Sequence, residues 1–259
     1  MSSADPQRVA VVIPALNEER AIRGVVESVL AICPNVIVVD DGSTDATLER
    51  IADLPVTLIR HATSLGKGQG LRDGFRKARA LGFDAVITMD GDGQHLAEDI
   101  PRMLEAARHY PEHLVIGARI RNRENQPQAR RRANDFADWG ISWGCGIPVA
   151  DTQSGQRYYP SAALELADIE ADDFVFEAAV LIAAAREKGV GVVSVPIESR
   201  YHGEFRTSHF RPIRDVTRIT MYTVRRIAAY GHIVDSYRRS HATPPIVYDP
   251  DPGTASGSV

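Results

Sequence analysis

The stretch Val-Ala-Val-Val-Ile-Pro-Ala-Leu-Asn-Glu, residues 9–18, decides the fold class of this chain. Its first half is a continuous apolar run, which is typical of a strand buried on both faces of a parallel sheet. It turns polar at Asn17 and Glu18, and residues 18–31 then carry apolar side chains at helical spacing. The segment therefore predicts a buried strand followed by a crossover helix.

The same alternation continues along the chain. Further apolar runs predict buried strands at 36–39, 56–59, 85–89, 114–117 and 190–195. Helical spacing predicts helices at 45–52 (capped by Ser43), 70–81, 100–109, 129–143, 176–188 and 212–229. Strands that alternate with helices in this way predict an α/β fold, with a mostly parallel sheet and helices on both of its faces.

Length and composition favour one domain. The chain has 259 residues, of which 44% are hydrophobic and 25% charged, so it can bury a large core. We expect one domain over residues 1–242 and a disordered tail over 243–259, which is rich in Pro, Asp, Gly and Ser. No segment has the roughly 20 apolar residues that cross a bilayer, and no signal peptide is evident. Two cysteines are too few for a disulfide framework, so we predict a reduced, cytoplasmic protein.

Positive charge is concentrated in two arginine-rich blocks. Residues 119–132 and 200–241 contain many arginines and no lysine, although the formal net charge is −4. Arginine binds phosphate in a bidentate manner, so the blocks point to an anionic ligand. The net negative charge and the interspersed acids argue against nucleic acid as the partner.

Acidic and polar clusters follow three of the predicted strands. They lie at residues 17–19, 40–45 and 90–95, and the carboxyl ends of parallel strands meet at one edge of a sheet. In the third cluster Gly91 separates Asp90 from Asp92, so both carboxylates can face one hard cation. Such a pair suits Mg²⁺ or Mn²⁺ that is shared with the phosphates of a substrate.

A glycine-rich segment, Gly-Lys-Gly-Gln-Gly at residues 66–70, is not a dinucleotide-binding loop. Its glycines follow the third predicted strand, whereas the dinucleotide fingerprint belongs to the first βα turn. Flexible backbone beside a nucleotide and a simple helix-entry loop both remain open.

The polar segments together resemble the signature of family 2 glycosyltransferases. The segments are Val-Val-Ile-Pro-Ala-Leu-Asn-Glu (11–18), Val-Val-Asp-Asp-Gly-Ser-Thr-Asp (38–45) and Met-Asp-Gly-Asp-Gly-Gln-His (89–95). Weaker matches follow at 117–119, 130–134, 151–157 and 206–209. The chain is most similar to the dolichyl- and polyprenyl-phosphate mannose or glucose synthases.

This resemblance implies a GT-A fold and a set of functional residues. The residues expected to contact the nucleotide-sugar donor are Pro14, Leu16, Glu18, Val39, Asp41, Asp90, Gly91 and Arg130. Those expected to bind Mg²⁺ or Mn²⁺ on the donor diphosphate are Asp90, Asp92 and Gln94. Catalytic roles fall to Asp92, Arg119 and Arg206, and the arginines would bind the phosphates of donor and acceptor. Either Arg130 or its neighbour Arg131 fits the phosphate contact.

The implied reaction is an inverting, metal-dependent transfer of a hexose from a donor of the GDP-mannose or UDP-glucose type to polyprenyl phosphate. A lipid phosphate is already anionic and needs no strong base, whereas a hydroxyl acceptor would need one. Asp151 and Glu177 are the candidate bases, and each could instead be a cap or a partner of arginine.

Two alternatives remain open. Gln156 and His209 depart from the usual family residues on the acceptor side, which leaves room for the hydroxyl of another lipid or small molecule. The second alternative is a catalytically silent protein that binds a nucleotide-sugar.

Contact with a membrane is also open. The predicted helix 212–229 has an apolar face and several arginines, and Trp139 and Trp143 lie one helical turn apart. These features suit peripheral contact with the cytoplasmic face of an anionic membrane, and they equally suit core packing.

Overall fold

The computed structural model describes residues 8–121, 128–198 and 212–250, without the side chains of residues 129, 130, 212 and 213. The strands are β1 Val9–Ala15, β2 Val36–Asp40, β3 Thr57–Arg60, β4 Ala85–Thr88, β5 Leu114–Ala118, β6 Arg157–Pro160, β7 Val192–Pro196 and β8 Ile246–Val247. The helices are α1 Ile22–Leu30, α2 Lys67–Ala80, α3 Ile100–His109, α4 Gln128–Cys145, α5 Ser161–Leu164, α6 Val175–Glu187, α7 Pro212–Tyr230 and α8 Ile233–Ala242. Short 3₁₀ turns lie at Glu49–Ile51, Ala97–Asp99 and Glu165–Asp168.

The eight strands form one mixed sheet in the order β3-β2-β1-β4-β6-β5-β7-β8. Strand β6 is antiparallel to β4 and β5, and all other pairings are parallel. Side chains of β1 alternate between two cores, with Val12 packed beside α2 and α6 and Val11 packed beside α1 and α3. The predicted mostly parallel sheet with helices on both faces is confirmed.

A crevice opens between β1 and β4, where the order of the strands reverses. The two strands pair only as far as Val12 and Thr88, while β1 stays paired with β2 up to Ala15. Beyond Thr88 the chain turns away into the acidic segment 90–92. Ligands of open α/β sheets bind at such a switch point, outside the carboxyl ends of the strands.

The predicted helix over residues 45–52 is wrong. Only the 3₁₀ turn Glu49–Ile51 forms, and α1 likewise begins at Ile22, four residues after the predicted start at residue 18. The side chains expected to begin the helix bind the first polar loop instead. Ser43 accepts the backbone N–H of Asn17 at 2.8 Å, and Thr47 accepts that of Glu18 at 2.8 Å. These bonds tie the ends of β1 and β2 together and leave Ser43 no role as a helix cap.

Two further elements differ from the sequence prediction. Strand β6 was not predicted, because its four residues include a charged Arg157 that is buried in the fold. The predicted disorder of the tail from residue 243 is wrong for the described part, since β8 pairs with β7. The Asp249 carboxylate then accepts hydrogen bonds from Arg102 at 2.8 Å and Arg121 at 3.0 Å, which fastens this segment. Residues 251–259 lie outside the described residues.

Two glycines in helices offer a matched test of the packing between α2 and β1. A Cβ atom on Gly74 would lie 2.4 Å from a methyl group of Val12, whereas one on Gly24 in α1 would contact nothing. We expect Gly74→Ala to lower the free energy of unfolding by about 1–3 kcal/mol through overpacking. Gly24→Ala should raise it by about 0.5–1 kcal/mol through helix propensity. Urea unfolding of both variants measures the difference; an equal effect at the two positions would contradict this packing.

Candidate active site

A cavity of about 340 Å³ lies at the switch point between β1 and β4. Its walls come from the ends of β1, β2 and β4, from the start of α2, and from the segments before α6 and at the start of α7. The lining residues are Pro14, Ala15, Leu16, Glu18, Asp41, Ser64, Gly66, Lys67, Gly70, Asp90, Gly91, Asp92, Asp173, Phe174, Arg214 and Asp215. Most residues that the sequence predicts at the donor are therefore brought together in one place.

A lysine stands beside the acidic pair. The ammonium group of Lys67 lies 2.7 Å from Oδ1 of Asp90 and 3.3 Å from Oε2 of Glu177. Gly155 closes the arrangement, because a Cβ atom there would lie 2.6 Å from Oδ2 of Asp90 and 3.2 Å from Nζ of Lys67. Three distant segments of the chain thus meet around one ammonium group.

Burial makes the charges of this cluster strongly dependent on one another. Burial and then the charge of Asp90 raise the pKa of Asp92 to about 6. Burial alone would also raise the pKa of Asp90, but the neighbouring Lys67 and His95 lower it. Burial lowers the pKa of His95 to about 4. At neutral pH the cluster therefore holds two carboxylates while His95 is uncharged, so the compensating positive charge must come from other groups.

The acidic pair fits a hard divalent cation. Asp90 and Asp92 both line the cavity, and carboxylate oxygens are the ligands that Mg²⁺ and Mn²⁺ prefer. Gln94, the third predicted ligand, is held at Asp92, where its backbone N–H and its side-chain amide donate to the carboxylate at 3.0 Å and 2.8 Å. Within the described residues, no three His, Cys, Asp or Glu side chains cluster closely enough to hold a metal ion by themselves.

Asp41 organises the loop before α2. Its carboxylate accepts hydrogen bonds from Nδ1 of His61 at 2.7 Å, the hydroxyl of Ser64 at 2.7 Å, and the N–H groups of Leu65 and Gly66 at 2.8 and 2.9 Å. Burial would raise the pKa of Asp41, but these bonds, that of His61 first, lower it. The predicted contact of Asp41 with the donor stays a prediction, and the observed role of this carboxylate is to shape the cavity wall.

Arg119 is held by Asp151 rather than pointing into open space. Its Nε and Nη2 atoms donate to the Asp151 carboxylate at 2.8 and 2.7 Å, and its backbone N–H donates to the same group at 2.7 Å. Burial would raise the pKa of Asp151, but Arg119 lowers it, which makes this carboxylate a weak base. Of the three interpretations of Asp151, as a base, a cap or a partner of arginine, the structure supports the arginine partner.

Other predicted residues lie elsewhere. Val39 is fully buried beside Gly70, where a Cβ atom would lie 3.6 Å from its Cγ1, and its contact with the donor stays a prediction. Gln156 is also fully buried, and its side-chain amide donates to the carbonyl of Leu96 at 2.9 Å; its place on the acceptor side stays a prediction. The side chain of Arg130 and the whole of Arg206 lie outside the described residues.

Several lining residues were not predicted from the sequence. Lys67 is the main one, and its signal was the segment Gly-Lys-Gly that opens α2. Asp173, Phe174 and Arg214 come from the second half of the chain, where no motif marks them. Arg157 supports this wall, since its guanidinium donates to the carbonyl of Glu177 at 3.0 Å.

An aromatic patch lies on the outer side of α4 and α8. Its rings contact one another within 6.4 Å between centroids and belong to Phe136, Trp139, Trp143, Tyr237 and His241. Phe136, Trp139 and Tyr237 are 55%, 39% and 40% exposed, so the core packing considered for Trp139 is wrong. In the part of the chain that is described, no helix is long and apolar enough to cross a membrane.

Comparison with known proteins identifies relatives of this chain. The model of the family described as glycosyl transferase family 2 matches residues 10–162. A UDP-N-acetylglucosamine–dolichyl-phosphate N-acetylglucosaminyltransferase of Methanococcus voltae is 30% identical over 74% of this chain and 86% of its own. A polyprenol monophosphomannose synthase of Mycolicibacterium smegmatis is 32% identical over 74% and 77%. An undecaprenyl-phosphate mannosyltransferase of Micrococcus luteus is 32% identical over 73% and 82%.

Solved structures share the architecture. Glucosyl-3-phosphoglycerate synthase of Mycobacterium tuberculosis, crystallised with Mn²⁺, UDP and glucosyl-3-phosphoglycerate, superposes with a TM-score of 0.62. It is 21% identical and the match covers 89% of this chain and 84% of that one. At this identity the likeness concerns the fold, which is the GT-A fold that the sequence resemblance implies.

The loop held by Asp41 generates a prediction on stability. Asp41→Asn keeps the size of the side chain but leaves a buried donor, such as the N–H of Gly66, without its acceptor. We expect the free energy of unfolding to fall by about 1–3 kcal/mol. Because the pKa of Asp41 is lowered, its charge is complete above the unfolded pKa of 3.8, so the loss should be constant between about pH 5 and 8. Urea unfolding across this pH range measures the loss of stability, and an unchanged free energy of unfolding would contradict the observed bonds.

Proposed function

The chain belongs to glycosyl transferase family 2, and we propose that it transfers a hexose from a nucleotide-sugar to a polyprenyl phosphate. Membership of the family makes it a glycosyltransferase, which disfavours the catalytically silent alternative. The observation that carries the proposal is the cavity at the β1–β4 crevice, which combines the acidic pair with Lys67 and the Pro14–Glu18 segment. This combination suits a diphosphate bound through a cation.

Donor binding is assigned to the carboxyl ends of β1, β2 and β4. Leu16 and Pro14 supply apolar surface for a base, and Glu18 supplies a polar group beside it. Asp90 and Asp92 would hold Mg²⁺ or Mn²⁺, which when bound would act as a Lewis acid on the leaving diphosphate. Arg119 would add positive charge beside Asp90, in the orientation that Asp151 imposes. Phosphate contacts of Arg130 and Arg206 stay predictions.

The nature of the acceptor rests on the relatives and on the cationic partners of the two candidate bases. The relatives named above act, by name, on dolichyl, polyprenyl or undecaprenyl phosphates. Both candidate bases are engaged by cations, Asp151 by Arg119 and Glu177 by Lys67. An anionic phosphate acceptor needs no strong base to attack the anomeric carbon. We propose that its oxygen attacks in line with the leaving nucleoside diphosphate, and such a single displacement inverts the anomeric carbon.

We also propose that the aromatic patch contacts an anionic membrane surface, where a polyprenyl phosphate resides. Trp and Tyr rings favour the interface between water and bilayer, because one part of each ring system is apolar and another is polar. Arg238 and Arg239 are exposed on α8 beside the patch, and such charges attract anionic lipids. Val234, 59% exposed on the same helix, adds apolar surface. Location on the cytoplasmic face stays a prediction.

Transfer of labelled sugar tests the proposed reaction. Purified protein receives Mn²⁺, polyprenyl phosphate and labelled GDP-mannose, UDP-glucose or UDP-N-acetylglucosamine in separate tubes. We expect metal-dependent label in the organic phase from one donor. Asp92→Ala should reduce transfer at least about 100-fold, because the diphosphate loses a ligand of its cation, while Asp53→Ala, an exposed acid paired with Arg23, keeps wild-type activity.

The contrary outcomes are distinct. Wild-type transfer by Asp92→Ala with an unchanged circular dichroism spectrum would refute the cation assignment. Metal-dependent hydrolysis of a donor without transfer would refute the lipid acceptor and favour the hydroxyl alternative.

Vesicle binding tests the membrane contact. We expect the protein to sediment with vesicles of phosphatidylcholine and phosphatidylglycerol more than with phosphatidylcholine alone, because arginine charges attract anionic headgroups. The double variant Trp139→Ala, Tyr237→Ala should lose most of this binding, whereas Leu81→Ala, at an exposed apolar residue just after the end of α2, should retain it. Equal binding by both variants would contradict the assignment.

A further inference from the structure

Lys67 occupies the position of a cation in the acidic cluster. Its ammonium group contacts Asp90 at 2.7 Å, the distance of a charge-assisted hydrogen bond. Its side chain lines the same cavity as both acids of the pair. Any divalent cation that binds Asp90 must therefore compete with a positive charge that the chain itself supplies.

Lys67 also has a second partner within reach. Oε2 of Glu177 lies 3.3 Å from the ammonium group, and Glu177 belongs to the first turn of α6, far from the acidic pair in the sequence. The other oxygen of Glu177, Oε1, is buried and has no hydrogen-bond partner among the described residues. A flexible lysine with three donors can shift toward Glu177 without leaving the cavity.

The surroundings hold Lys67 close to this pair of partners. Gly155 leaves no space for a Cβ atom between Asp90 and Nζ of Lys67. Gly68, one residue after Lys67, lies so near the backbone of Asp173 that a Cβ there would be 2.7 Å away. The start of α2 is thus fixed, and the freedom that remains is that of the lysine side chain.

We propose that Lys67 is a built-in counter-ion that makes divalent-cation binding at Asp90 and Asp92 depend on the donor. Without donor, Lys67 stays on Asp90 and weakens binding of the ion. The negative charge of a bound diphosphate draws Lys67 away from Asp90, with Glu177 as its remaining protein partner. Cation and donor then bind cooperatively, and the coupling is the same in both directions. This inference rests on the proposed donor site.

Mn²⁺ binding without any sugar tests the inference independently of activity. Electron paramagnetic resonance measures free Mn²⁺ in titrations of the wild type, Lys67→Met and Arg214→Met. Removing the competing ammonium should tighten Mn²⁺ binding at least about tenfold in Lys67→Met. Arg214→Met removes an equal charge from the wall of the same cavity and should change the affinity less than about threefold.

A second measurement uses the nucleotide. Equilibrium dialysis of UDP and of GDP, with and without Mn²⁺, gives the factor by which the ion tightens nucleotide binding. This factor should be at least about tenfold smaller in Lys67→Met than in the wild type. Glu177→Gln weakens the attraction of Lys67 to its second partner, so Lys67 should stay on Asp90 and the affinity for Mn²⁺ should fall. This effect is opposite to that of Lys67→Met, and it keeps the proposal testable if Lys67→Met does not fold.

The outcomes separate the two proposals. Unchanged or weaker Mn²⁺ binding by a folded Lys67→Met, or an equal gain in Arg214→Met, would overturn the counter-ion role and leave the donor site intact. Tighter Mn²⁺ binding by Glu177→Gln would overturn it as well. If no protein binds Mn²⁺ even with UDP or GDP, the cation site of the proposed function fails, and the counter-ion role fails with it.

Discussion

Two carboxylates, those of Asp90 and Asp92, lie together and partly buried in one cavity, and the rest of the site supplies the positive charge that they require. Like charges at low dielectric are costly unless they are compensated. Lys67 gives direct compensation to Asp90, and Arg119 gives it at longer range. These two cations in turn engage Glu177 and Asp151, so the acidic pair determines the partners of four other charged groups.

The topology of the sheet brings these groups together. Strands β1 and β4 separate after Val12 and Thr88, which opens the crevice. The antiparallel strand β6 runs back beside β4. The Thr88 hydroxyl fixes the segment that leads into β6 by donating to the carbonyl of Gly155 at 2.7 Å. This places Gly155 against Asp90 and Lys67. Arg157, at the start of β6, then fixes the beginning of α6 and with it Glu177. Residues more than 80 positions apart thus form one cluster.

The sequence predicts the parts of this arrangement that depend on local pattern. Strands β1, β2 and β4 are continuous apolar runs, and acids at their ends must meet because the strands are parallel. The helix predicted over residues 45–52 failed because Ser43 and Thr47 bind the backbone of another loop, which no local pattern reveals. Strand β6 and the role of Lys67 were not predicted for the same reason. The burial of Arg157 and the contacts of Lys67 depend on partners that are distant in the sequence. The resemblance to a family predicts that Asp41 contacts the donor, and this stays a prediction. The bonds of its two carboxylate oxygens to the loop before α2 were not predicted, because His61 and Ser64 lie far from Asp41 in the sequence.

An anomalous diffraction map of crystals grown with Mn²⁺ and UDP or GDP tests most directly how Lys67, Asp90 and Asp92 respond to a bound donor diphosphate. We expect a manganese peak between the carboxylates of Asp90 and Asp92 and the diphosphate, with the ammonium group of Lys67 moved away from Asp90. A peak at another place, or a diphosphate bound while Lys67 still contacts Asp90, would contradict this expectation.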